Sequence, residues 1–285
     1  MRTRVRPLDD DDLPDALALL GAHPVENLFF LDRIQQGGLK RSRLGCPVYG
    51  AFRHDDLVGL VHVGSNLVPV ADDEEVLAAL AARVGPWRTS TSIMGTQRAV
   101  LPFHEHLTHL SERAWGHPRA KRADQPLLVI DSPPAITPDP RVRIVGFEDF
   151  ESYFRAAVDM YTEEVGVSPL DPSNGYRRHM LAMMQRGDTF GILDEHRIVR
   201  WKSDVALSWG GVCQIQGVWL DPALRGQRLS APAMAGVVQL ARRHHHTVTL
   251  YVNDFNVAAR GTYDAVGFRR VGTMTTILYL SLIHI

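Results

Sequence analysis

Cysteine is almost missing from this chain. Cys46 and Cys213 are the only two, too few for a disulfide framework and in keeping with a reducing cytoplasm. No stretch approaches the roughly 18 consecutive apolar residues that a membrane-spanning helix needs. The opening Met1-Arg2-Thr3-Arg4 runs into an acidic stretch, not an apolar signal segment. Neither sign of charge is in excess. The 31 basic and 32 acidic side chains leave a net charge of −1 and a pI near 6.9, which argues against a dedicated nucleic-acid binder. Lysine is scarce, with Lys40, Lys121 and Lys202 against 28 arginines, a bias that reads as a trace of a GC-rich genome. Walker loops and nucleophile elbows are also lacking, because Gly-Gln-Arg-Leu-Ser has neither the lysine nor the spacing of a P-loop. His104-Glu105-His106 with His109 lacks metal-ligand spacing, since positions two apart do not share a helix face, so no metal is expected. What remains is an ordinary globular composition, 45% apolar and 22% charged over 285 residues. At ~150 residues per domain that length suggests two domains.

The division is visible in the prolines. Asp131-Ser-Pro-Pro-Ala-Ile-Thr-Pro-Asp-Pro140 loses donors and restricts its own backbone, and reads as a linker near the midpoint. The segments on either side begin alike. Arg4-Val5-Arg6-Pro7-Leu8 precedes an acidic helix start, as Arg141-Val142-Arg143-Ile144-Val145 precedes Phe147-Glu148-Asp149. A hairpin over Val48–Val58 is paralleled by one over 189–206, about 140 residues later, which reads as a weak internal duplication. In the first half, strands are expected at 4–8 and 127–130, with helices at 12–20, 74–83 and 102–114. The second half reads as a strand (142–146), helices (148–164, 174–186), the hairpin, a strand (213–220), a helix (229–245), a strand (247–253), a helix (256–266) and closing strands (268–279). This alternation predicts a mixed α/β (α+β) fold.

Chemistry concentrates between Cys213 and Phe268. The strand Gln214–Leu220 ends at Asp221-Pro222, and Arg225-Gly226-Gln227-Arg228-Leu229-Ser230-Ala231 leads directly into a helix. A strand, short loop and helix N-terminus form an anion site, because unpaired first-turn amides and the positive end of the helix dipole both face outward. After the next strand comes Asn256-Val-Ala-Ala259-Arg-Gly-Thr-Tyr263-Asp-Ala-Val-Gly267-Phe268, which places Asn256, Ala259 and Tyr263 on one helix face.

These segments resemble the Gcn5-related N-acetyltransferase (GNAT) superfamily. Its second motif, Asn-x-x-Ala-x-x-x-Tyr-x-x-x-Gly-Phe, is matched at Asn256, Ala259, Tyr263, Gly267 and Phe268. Its pyrophosphate loop has Arg or Gln, two residues, Gly, one residue, then Gly or Ala. That pattern is matched at Arg225 and departed from at Arg228 and Ser230. The combination is similar to tandem-GNAT proteins of actinobacteria with a degenerate N-terminal copy. The resemblance implies two domains, each a mixed, mostly antiparallel sheet flanked by helices: a degenerate copy at 1–130, the linker at 131–140 and an N-acetyltransferase domain at 141–279. Residues 280–285 resemble translated sequencing-adapter DNA and are excluded, a genuine final strand being the alternative.

The resemblance further implies acetyl-CoA as acyl donor and an amine as acceptor in a cytoplasmic enzyme, and because domain junctions favour binding clefts the acceptor is expected between the halves. Val218, Trp219 and Leu220 would hold the acetyl and pantetheine through free backbone groups. Amides of Arg225, Gly226, Gln227, Arg228, Leu229, Ser230 and Ala231 would take the pyrophosphate. Asn256 would contact pantetheine, and Tyr263 would protonate the departing thiolate. Gln214 stands where histone-type relatives place a glutamate, so the base falls to Glu164, with Glu163 and Asp204 as alternatives or with none required.

Blander readings stand beside these. Glu163-Glu164 also reads as a solvated helix end, Lys202 as a solvated strand face and Cys213 as a small buried hydrophobe. At Arg228, a required positive φ would cost an arginine about 1–2 kcal/mol. Its guanidinium would then either crowd the phosphates or add a contact to them, and a sequence error is a third option. Two other classes stay open: a non-catalytic acyl-CoA sensor, and a tandem-GNAT transferase of another acyl or aminoacyl group.

Overall fold

The computed structural model describes residues 3–170 and 172–279, so the expected foreign tail, 280–285, lies outside the described residues. The chain runs β1 (Arg4–Pro7), α1 (Leu13–Gly21), α2 (Leu28–Gly37), α3 (Arg41–Leu44), β2 (Val48–Arg53), β3 (Asp56–Val63), β4 (Asn66–Val70) and α4 (Glu74–Val84). It continues through β5 (Ser92–Thr96), α5 (Gln97–Leu110), α6 (Glu112–Trp115), β6 (Ala120–Ile130), β7 (Arg143–Ile144), α7 (Phe150–Val165), α8 (Gly175–Arg186) and β8 (Thr189–Leu193). Last come β9 (Val199–Trp209), β10 (Val212–Leu220), α9 (Ser230–Ala241), β11 (Thr247–Tyr251), α10 (Val257–Val266) and β12 (Arg269–Leu278). This is the expected mixed architecture. The sequence pattern does not predict α2, α3, β4 or β5, and α5 begins at Gln97 with Pro102 inside it.

Contacts divide the chain into two units. The first holds the residues through Leu127, Tyr251–Phe255 and the chain from Val271 onward; the second holds Leu128–Leu250 and Asn256–Arg270. The boundary expected at the proline-rich segment therefore misses an exchange, because most of β12 belongs to the first unit. Met274–Leu278 pair antiparallel with Ser92–Thr96 of β5. Ile277 and Tyr279 join Leu77, Leu80, Phe103 and Trp115 in one apolar cluster, and the Tyr279 hydroxyl donates to the Trp115 carbonyl at 2.9 Å.

In the first unit β1–β2–β3–β4 is an antiparallel meander, and β4 then pairs parallel with β5. Asp73 starts α4 by accepting the amides of Glu75 and Val76, at 2.9 and 3.2 Å. In the second unit β7, β8, β9 and β10 are successively antiparallel, and β10 pairs parallel with β11. One face of this sheet carries α7 and α8, whose Tyr153, Phe154, Ala157, Met180 and Met183 form the core with Val199 and Trp219. The proline-rich segment is tied down, not loose: the Ala135 amide donates to Val266 O and the Asp139 amide to Pro232 O, both at 2.9 Å.

Candidate active site

Two parallel strands that part company create the opening. β10 and β11 pair only over Val212–Gln214 and Thr247–Thr249. From Ile215 to Leu220 β10 keeps β9 on one edge and has no β11 partner on the other. On the β9 side the register slips between Gln216 and Trp219, so that Gly217 and Val218 together face Ser203 in a β-bulge. Gly217 sits at φ +62, and a Cβ there would lie 2.4 Å from Asp204 Oδ2 and 2.9 Å from Lys202 Nζ. Only glycine fits. Val218 and Leu220 are half-buried on this edge, whereas the Trp219 indole is packed in the α7 core, leaving only its backbone to the opening.

Lys202 overturns its surface reading. It is 0% exposed, ion-paired to Asp204 Oδ2 at 2.6 Å, and donates to Gly217 O at 3.0 Å. Asp204, 4% exposed, also accepts from the Tyr153 hydroxyl at 2.5 Å, and burial among these groups holds the Tyr153 phenol well above its ordinary range. Asp204 is thus committed to internal partners and removed from the list of candidate bases. The hint in the sequence was a lysine two residues from an aspartate on one strand, and so on the same face, in a protein with only three lysines.

The strand-to-helix loop, 221–229, runs from β10 to α9. Asp221 caps its start by accepting the Ala223 amide at 2.9 Å. The Arg225 amide donates to Pro222 O at 3.3 Å, so Arg225 leaves the set of free amides. From Gly226 through Gln227, Arg228, Leu229, Ser230 and Ala231, no acceptor among the described residues takes an amide hydrogen. Gly226 has φ +79 and Arg228 φ +60, so the strained conformation at Arg228 is real. The Arg228 side chain is exposed and has no ion-pair or hydrogen-bond partner among the described residues. Arg225 instead makes a two-pronged ion pair with Glu163, at 2.6 and 2.7 Å, and this holds the Glu163 carboxyl below its usual range. Glu163, exposed at the end of α7 as its solvated reading expects, thereby also anchors the loop.

Helix α10 explains its own motif. Asn256 caps it, its Oδ1 accepting the Ala259 amide at 3.1 Å and its Nδ2 hydrogens remaining available. Gly267, at φ +104, ends it in a left-handed turn, and the Gly267 and Phe268 amides both donate to Tyr263 O. The Phe268 ring then meets the Tyr263 ring nearly edge-on at 5.8 Å. Tyr263 is 6% exposed and its phenol is pushed up to about 12, chiefly by burial and then by the Glu164 carboxylate. The structure thus brings Tyr263 within the field of Glu164, at the exposed end of α7. Cys213, fully buried, has its thiol pushed up to about 12 and is the inert hydrophobe its surroundings suggest.

The first unit has a parallel splay of its own. β4 pairs with β5 only at Asn66 and Leu67, and a cavity of about 170 Å³ opens beyond them, lined in part by Val68, Val70, Asp72 and Arg98. Its strand-to-helix connection is the short Ala71-Asp72-Asp73, and Arg98 there is held by Glu26 and Asp72.

Residues 152–268 match the profile of the acetyltransferase (GNAT) family. The second half of the chain is a GNAT domain. Residues 46–153 match a domain of unknown function, DUF4081, and fit a divergent second copy. Solved structures with the same fold include a GNAT-family acetyltransferase from Colwellia psychrerythraea, 13% identical over 97% of this chain and 100% of that one, with a TM-score of 0.58. Another is a GCN5-related N-acetyltransferase from Sphaerobacter thermophilus, 14% identical over 98% of both chains, with a TM-score of 0.64. A third is a tandem GNAT protein from the clavulanic acid biosynthesis pathway, 12% identical over 97% of this chain and 98% of that one, with a TM-score of 0.54. No curated protein matches the chain at a significant level. GNAT proteins are acyltransferases that use acyl-CoA, and residues 152–268 of this chain carry that family's domain.

Proposed function

We propose that the GNAT domain transfers the acetyl group of acetyl-CoA to an amine. The observation that carries this reading is the run of unpartnered amides from Gly226 to Ala231 at the head of α9, beside the open edge of β10. Such a run, with the helix dipole behind it, suits a pyrophosphate, and the free Arg228 guanidinium adds a charged donor. The backbones of Val218, Trp219 and Leu220 would line the pantetheine and acetyl group in place of β11, with the Asn256 carboxamide alongside.

Glu164 would accept the proton of the incoming amine, directly or through water, as its nitrogen attacks the thioester carbonyl. The C–N bond forms, the tetrahedral intermediate collapses with loss of the C–S bond, and Tyr263 protonates the departing thiolate. A phenol near 12 is fully protonated at neutral pH but a reluctant donor. Part of that reluctance comes from the negative charge of Glu164, which vanishes once Glu164 has taken up the amine's proton. Tyr263 therefore becomes more acidic at the step that needs its proton. Passage of the proton from Glu164 to the phenolate then resets both groups.

The test is calorimetric titration of acetyl-CoA into the full chain, followed by thiol-release assays over a panel of primary amines with Tyr263→Phe in parallel. The expected result is binding by both proteins, and turnover by the parent that falls ~100-fold or more in the variant. Binding without turnover on any amine would make the domain a sensor, and no binding would remove the acyl-CoA reading of this loop.

A further inference from the structure

A fully buried ammonium needs a reason. Taking a lysine and an aspartate out of water costs several kcal/mol per ion, and apolar residues of similar volume often serve stability as well or better. Lys202 and Asp204 nevertheless sit side by side on β9, at 0% and 4% exposure, with the Tyr153 ring 5.0 Å from the Lys202 nitrogen. Their shared target is the bulge. Lys202 Nζ donates to Gly217 O at 3.0 Å, and Gly217 lacks the Cβ that would collide with both charged groups.

The direction of that hydrogen bond matters. No peptide bond among the described residues is cis, so the Gly217 carbonyl and the Val218 N–H point in opposite directions. With the carbonyl drawn toward Lys202 Nζ, the Val218 N–H of the same peptide points away from that ammonium, and β10 has no β11 partner at this position. A cation on the carbonyl of a peptide also polarises its N–H, making that group a stronger donor.

We propose that Lys202, held in place by Asp204 and Tyr153, is a positioning residue for acyl transfer: it locks the bulge peptide so that the Val218 N–H donates to the thioester oxygen. This rests on the reading of the β10 edge as the acetyl site. The negative charge that gathers on that oxygen during attack is met by a donor already aimed and polarised, which lowers the barrier without tightening ground-state binding. The three buried side chains touch no substrate and act only through the peptide.

The test is isotope-edited infrared spectroscopy of acetyl-CoA labelled with carbon-13 at the carbonyl, bound to the full chain. In the parent protein the thioester carbonyl band moves to lower wavenumber than in free acetyl-CoA. In the double variant Lys202→Met/Asp204→Asn the band returns toward its free position with affinity retained, and with a responsive amine kcat falls at least about tenfold at unchanged KM for acetyl-CoA. Should the double variant fail to fold, Tyr153→Phe keeps the ring and the ion pair but frees Asp204, and a partial return of the band is expected. A parent band at the free position despite binding, or a shifted band unmoved by the variants, overturns the proposal and leaves the acetyltransferase reading intact. Absence of binding by the parent overturns both.

Discussion

Replacing Arg228 by glycine separates two opposite views of the phosphate loop. The residue sits at φ +60, where a non-glycine side chain costs about 1–2 kcal/mol relative to glycine. Glycine returns some 0.5–1 kcal/mol of that to the unfolded chain through its extra backbone freedom. Arg228→Gly is therefore expected to stabilise the protein by roughly 0.5–1 kcal/mol, a rise in Tm of about 2 °C for a chain of this size. Affinity should move the other way. The guanidinium is exposed and uncommitted beside a row of free amides, so a bound pyrophosphate gains a charged donor from it. Such a bond is worth ~1.5 kcal/mol in a solvated setting, about a tenfold weaker dissociation constant when lost. Calorimetric titration of acetyl-CoA at two ionic strengths checks both terms. A lost charge makes the gap between parent and variant shrink as salt rises, whereas a merely floppier loop leaves it constant. Equal or tighter binding by the glycine variant would refute the reasoning and mean that the arginine obstructs the phosphates.

Removing the Glu164 charge should lower the phenol. In Glu164→Gln the Tyr263 ionisation, followed by phenolate absorbance against a Tyr263→Phe blank, should fall below the parent's value of about 12; an unchanged titration would dissociate the two groups. Because the folded phenol lies above its ordinary value, the neutral form is the one the fold favours. The stability tied to this group is therefore fully present below about pH 10 and is lost as the pH rises from about 10 towards 12, where the unfolded phenol ionises while the folded one is held neutral. One acetyl-CoA should bind per chain, since the first unit's strand-to-helix connection presents Asp72 and Asp73 where an anion loop would be; a calorimetric stoichiometry of two would contradict this. Ile277→Ala, at a fully buried position, should cost about 3 kcal/mol in denaturant unfolding, and Val271→Ala on the same strand, at 41% exposure, should cost little; equal losses would refute the packing of β12.

The second half was largely legible because its signals are local. Asn256 at a helix start, Gly267 at its end and the Arg225–Ala231 loop each act on neighbours within a few residues, so the sequence carries their geometry directly. Three features depended on contacts far apart in the chain. Lys202 reads as a surface residue until Tyr153 and Gly217 are placed around it. Glu163 reads as solvated until Arg225 arrives from the loop. The pairing of β12 with β5, about 180 residues apart, leaves no periodicity to detect, since a strand's alternation says which face is buried but not which strand lies beside it.

The two splayed strand pairs show what a duplicated scaffold can retain and lose. Both units keep a parallel pair that hydrogen-bonds for two or three residues and then opens, Asn66–Leu67 with Ser92–Ile93 in one and Val212–Gln214 with Thr247–Thr249 in the other. Opening a sheet leaves backbone groups unsatisfied on the vacated edges, a recurrent cost unless something fills the gap. In the GNAT domain the gap is backed by a loop of free amides and by a buried cation that aims one peptide into it. In the first unit the connection is three residues long, its Asp73 is spent on capping α4, and Arg98 is neutralised by Glu26 and Asp72. The opening therefore survived without the electrostatics that would make it attractive to a phosphate. Shape alone persists in a diverged copy, because sheet geometry is fixed by many residues together, whereas the anion site is set by a handful of loop positions and disappears when those few change.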